Sequence, residues 1–67
     1  MNYKVITNVL LILMILVFHH RSGYIQHIYN VDTYVVSAKE IKVYTKYNQI
    51  PIIINRNDII YWEEEND

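Results

Sequence analysis

The side chains of this 67-residue chain that could support catalysis or metal binding are three histidines, two serines and a cluster of acids at the end. His19, His20 and His27 offer imidazoles, which carry protons near neutral pH and ligate metals. Adjacent histidines diverge on regular backbone, and no carboxylate lies close to them in sequence. Ser22 and Ser37 would need a base within hydrogen-bonding reach to act as nucleophiles, and neither stands in a recognisable motif. Glu63, Glu64 and Glu65 could attract cations but read as a solvated terminal tail. Neither catalytic residues, nor a metal site, nor a cofactor is expected, which points to a non-enzymatic protein.

Binding chemistry is better represented. Lys42, Tyr44 and Lys46 alternate with Ile41, Val43, Thr45 and Tyr47, so one face of an extended segment would carry an aromatic plate between two cations. Such a face could stack on a sugar or meet anionic polymer or lipid headgroups. Trp62, beside Tyr61, is expected to be either a main core residue or an exposed interface anchor.

The elements that must position these residues are short and rich in Ile, Val, Tyr and Thr, which suit a pleated, half-buried surface. Asn30-Val-Asp32 divides Tyr24 to Tyr29 from Thr33 to Val36, and Asn48-Gln49 and Asn55 to Asp58 make later breaks. Ile41 to Tyr47 is the clearest strand by its two-residue period. Ile50 to Ile54 carries Pro51 near its start, as an edge strand can, and Ile59 to Trp62 makes the last strand. Ser37-Ala-Lys-Glu40 has the spacing of a helix capping box, but the β-branched residues after it weigh against a helix. The expectation is a small all-β domain over 21–62, four or five antiparallel strands in an SH3-like or incomplete barrel, followed by an acidic tail over 63–67. Independent stability is marginal at this size.

In front of that domain lies Val9, Leu10, Leu11, Ile12, Leu13, Met14, Ile15, Leu16, Val17 and Phe18, a run without a polar side chain. A soluble helix would need a polar stripe where it meets water, and this run has none. Residues 1–20 are therefore expected to form a membrane anchor or signal helix contacting lipid, although the run falls short of the ~20 residues that usually span a bilayer. The amine and Lys4 before it, against Arg21 after it, favour a cytoplasmic N-terminus and an extracytoplasmic C-terminal domain. His19 to Gly23 reads as the hinge. A cleaved signal would instead release a secreted module, although Arg21 or His20 would occupy a cleavage position that wants a small residue.

From Tyr24 onward four basic residues face seven acids, which speaks against nucleic acid as a partner. Cysteine is absent, so disulfides and thiolate chemistry are excluded. The Ile, Asn, Tyr and Lys bias, with Gly, Ala and Pro used once each, is the kind an AT-rich coding sequence produces and fits a low-GC bacterium or its phage.

The pattern Val36-Ser-Ala38, Ile41-Lys-Val43, Pro51, Ile54 and Asn57-Asp58-Ile59-Ile60 resembles the opening of bacterial SH3-type domains over roughly residues 36–62. The cluster of arginine, serine, glycine and proline that usually follows the second strand is replaced here by Tyr44-Thr-Lys-Tyr47, and no ligand residue carries over. The resemblance implies a binding module. Taken together, the sequence leads to a single-pass membrane accessory or inhibitory protein that acts through a protein partner or self-association. The alternative is a secreted module that recognises cell-wall polymer or a protein through Lys42, Tyr44 and Lys46.

Overall fold

The computed structural model describes the backbone of residues 4–7 and all of residues 14–66. They form one antiparallel sheet of strands β1 (Lys4–Thr7), β2 (Met14–His20), β3 (Ile25–Val36), β4 (Glu40–Thr45), β5 (Asn48–Asn55) and β6 (Ile59–Asn66), with a 3-10 turn at Arg56–Asp58. The spatial order is β5-β4-β3-β2-β6, and β1 pairs with the far half of β3. A small all-β domain is thus what the chain builds.

The apolar run is where sequence and structure part. A helix is expected over Val9–Phe18, but Met14, Ile15, Leu16, Val17 and Phe18 are β-strand, flanked by β3 on one side and β6 on the other; Val9 to Leu13 lie outside the described residues. Met14, Leu16 and Phe18 enter the core. Val17 points to the opposite face, between His27 and Glu63, and is also buried. A strand covered on both faces reads as continuous apolar sequence without alternation, and over a short run it cannot be told from a buried or lipid-facing helix by pattern alone. The missing polar stripe argues against a soluble helix and says nothing against such a strand. No helix among the described residues is long and apolar enough to cross a membrane.

The boundaries shift with it. The expected hinge is the tight β2–β3 turn, in which the His20 amide donates to Tyr24 O at 2.9 Å and the Gly23 amide to His20 O at 3.0 Å. Gly23 adopts φ 94°, a conformation that disfavours side chains. The Arg21 amide ties this turn to Asp58 O at 2.8 Å. Glu63, Glu64 and Glu65 belong to β6 and pair with Val17, Leu16 and Ile15, so they are strand residues and not a free tail.

Strand β3 organises the sheet. The break expected at Asn30-Val-Asp32 becomes two bulges within one strand: Met14 and Leu16 pair with Val31 and Ile28, and Val31 and Thr33 pair with Thr45 and Tyr44. Asn30 takes φ 60°, which asparagine tolerates better than most residues. Bulges increase local twist, and here they let the two halves of β3 serve different neighbours. Along one side it pairs with β2 and then β1, whereas β4 meets it only from Val31 to Val36.

The core gathers Met14, Leu16, Phe18, Ile28, Val31, Tyr34, Ile41, Val43, Ile54 and Ile59. The capping-box residues serve the β3–β4 turn, where Ser37 Oγ accepts from the Glu40 amide at 3.1 Å and donates to Glu40 O at 3.0 Å. Tyr47 does not continue β4 inward. It sits with Lys46 in the β4–β5 turn and is exposed, while β5, with Pro51, is an edge strand as expected.

Candidate functional site

Alternation from the buried Leu16 and Phe18 puts His19 on the face opposite the core, and the ladders align it with Tyr61 of β6 and Ile25 of β3. The His19 and Tyr61 rings stack at 4.1 Å and 13°, and His19 Nε2 lies 3.1 Å from Glu63 Oε2. His27, aligned with Val17, extends this face, and its ring lies 6.2 Å from that of Tyr29 at 15°. Tyr29 and Tyr61 remain 58% and 49% exposed, as does Ile25 at 49%. Cross-strand aromatic pairs stiffen such a face, so it presents ordered, partly apolar area to solvent. Among the described residues no cluster of three metal-ligating side chains occurs.

On the core side a different set of groups is locked together. The Tyr34 hydroxyl donates to Glu64 Oε2 at 2.5 Å and accepts from Trp62 Nε1 at 3.2 Å. Trp62 meets Tyr34 edge-on at 6.5 Å and Phe18 at 6.3 Å, with the Arg56 guanidinium 5.1 Å above its ring. Burial, and then the hydrogen bond to Glu64, push the Tyr34 phenol up to about 12. A phenol moved away from neutral pH in this way holds its proton and fastens β3 to β6; it is no general acid or base.

The four residues expected to form a binding face are divided. Lys42 and Tyr44 do share the outer side of β4, since Ile41 and Val43 are buried on the other, and Lys42 Nζ lies 3.6 Å from Glu40 Oε1. Lys46 is in the β4–β5 turn, 5.7 Å from the centre of the Tyr47 ring. Trp62 packs partly buried against the core on β6. Neither extreme expected of Trp62 is realised: the indole is half covered and hydrogen-bonded.

Sequence reasoning also missed a cleft. Because β4 leaves β3 at Val31, a notch of about 320 Å³ opens between the first half of β3 and the β4–β5 turn, lined by Gln26, Ile28, Tyr29, Thr45, Tyr47 and Ile52 among others. Thr45 Oγ1 is shielded from solvent there and has no hydrogen-bond partner. A buried hydroxyl without a partner costs about 1–3 kcal/mol, so Thr45→Val, which keeps the shape, is expected to raise stability by about 1 kcal/mol in urea unfolding. A lower midpoint would show that the hydroxyl is satisfied. The only sequence signal for the notch was the pair of turn formers inside β3, because the notch arises from where two distant strands stop pairing.

Comparison with protein families, curated proteins and solved structures finds no match to this chain, so its chemistry is argued from the arrangement above.

Proposed function

We propose that this chain is a non-enzymatic binding domain that acts through contacts with a partner protein. The observation that carries the reading is the ordered outer face of β2, β3 and β6, where Tyr29, Ile25 and the His19-stacked Tyr61 stand half exposed around a buried Val17. Rigid aromatic side chains lose little entropy on binding and are enriched at protein interfaces. The resemblance to SH3-type domains over roughly residues 36–62, carried by the pattern Val36-Ser-Ala38, Ile41-Lys-Val43, Pro51, Ile54 and Asn57-Asp58-Ile59-Ile60, agrees with a binding module.

A helical anchor, with the C-terminal part outside the cytoplasm, is not carried into this proposal, because Met14 to Phe18 would have to leave the middle of the sheet to enter lipid. Polymer binding through Lys42, Tyr44 and Lys46 has less support, since Lys46 is displaced into a turn and Lys42 faces Glu40.

The test is affinity purification of the tagged full chain from its host after cross-linking, compared with the double variant Tyr29→Ser, Tyr61→Ser. A partner whose recovery falls about tenfold, the effect of losing roughly 1.4 kcal/mol, is expected while the melting temperature stays within a few degrees. Equal recovery with the variant, or no partner at all, would overturn the reading.

A further inference from the structure

Among the described residues of β2 to β6, three stretches of strand lack a neighbour on one side, and two of them are protected. The outer side of β5 carries Pro51 in mid-strand, and that of β6 carries Glu63, Glu64 and Glu65; proline and charge are the usual means by which open strands are kept from pairing. The third stretch is Ile25–Tyr29, the first half of β3, which has β2 on one side and the notch on the other. Its sequence, Ile-Gln-His-Ile-Tyr, contains neither proline nor an acid nor a lysine or arginine.

The direction of its backbone groups follows from the register. The His20 amide bonds Tyr24 O at 2.9 Å, and the ladder continues through Phe18 with Gln26 and Leu16 with Ile28. In an antiparallel pair the groups that meet the neighbour alternate with groups that point away. Tyr24, Gln26 and Ile28 therefore bond to β2, and the amides of Ile25, His27 and Tyr29 point away from it, those of His27 and Tyr29 into the notch. Among the described residues, the backbone bond that crosses it is from the Lys46 amide to Asn30 O, 2.9 Å, at its closed end.

We propose that Ile25–Tyr29 is a docking edge to which an extended segment of a partner protein adds as a further β-strand. This rests on the protein-binding reading and names its mode. Strand addition draws affinity from main-chain hydrogen bonds and specificity from pockets for alternate side chains. Here the alternate positions differ in kind: one side of the added strand meets Ile28 and Ile52, and the other meets the His27 and Tyr29 rings. The incoming segment is thus uncharged, free of proline, and apolar at every second residue.

The full chain is panned against phage-displayed random heptapeptides, and amide hydrogen exchange is read by NMR with and without the best selected peptide. In the free protein the amides of Ile25, His27 and Tyr29 are expected to exchange about tenfold or more faster than those of Gln26 and Ile28. Bound peptide is expected to slow the first three. His27→Pro deletes a notch-facing donor without removing a bond to β2, and is expected to weaken the peptide about tenfold. If that variant fails to fold, His27→Glu, at an exposed position, is expected to weaken the same uncharged peptide by a similar factor. Selected peptides that protect the His19 and Tyr61 face instead would overturn strand addition and leave the protein-binding reading standing. Failure to select any peptide would also overturn it, while the broader reading is judged separately by partner recovery with the Tyr29 and Tyr61 variant.

Discussion

Phe18→Ala is expected to lower the unfolding free energy by about 3–5 kcal/mol, most of what a domain of this size possesses at roughly 0.05–0.15 kcal/mol per residue. The Phe18 ring has no solvent exposure, stands on β2 between β3 and β6, and lies 6.3 Å from Trp62, so its loss leaves a cavity bounded by two strands that cannot close on each other. Urea unfolding followed by Trp62 fluorescence measures it directly. Ile50→Ala serves as the control, since that side chain is 81% exposed and its truncation should change stability by less than about 0.5 kcal/mol. The same pair of variants separates the two possible placements of the apolar run. A residue in a lipid-facing helix outside the folded domain would leave the transition where it was, and an unchanged midpoint for Phe18→Ala would sink the assignment of β2 to the core.

Tyr34→Phe is expected to cost about 2–3 kcal/mol, because hydrogen bonds to charged groups contribute about 1.5–3 kcal/mol and the missing hydroxyl strands both the Trp62 N–H and the Glu64 carboxylate. The pH dependence gives an independent signature. An unfolded tyrosine loses its proton near pH 10, whereas Tyr34 in the folded chain holds it to about 12. Between those values the unfolded state binds fewer protons than the folded state, so stability falls as pH rises through the window and is fully present below it. Unfolding midpoints collected from about pH 9 to about 12 should therefore decline more steeply for the natural chain than for Tyr34→Phe. Parallel curves would show that the hydroxyl is not held as described.

Local sequence made much of the β-structure legible. The period of Ile41 to Thr45 and the proline of β5 mark strands whose two faces, or two edges, meet different surroundings, and the pattern records that difference. Asn55 to Asp58 was legible as a chain reversal because its side chains cap backbone groups nearby, as Asn55 does in accepting from the Asn57 amide at 3.0 Å, whereas Ser37 to Glu40 has the spacing of a helix cap and the same bonds close a strand turn. Where both faces of a strand are buried the record vanishes, which is why Met14 to Phe18 reads as a membrane helix and folds as the middle of a sheet. The acids of β6 misled for the complementary reason. They sit on an open strand with water on one side, so a paired strand there looks like a solvated tail.

The sequence by itself determined the β class of the second half, through its β-forming residues, and excluded thiol chemistry, since it holds no cysteine, each a consequence of side-chain chemistry that no fold can supply from elsewhere. Tertiary structure alone decided that Met14 to Phe18 form a buried strand between β3 and β6, that Trp62 binds Tyr34, and that half of β3 is left open beside a notch among the described residues. Those outcomes depend on which distant strands pair and where the pairing stops, and hydrogen-bond register between segments far apart in the chain leaves no trace in local spacing.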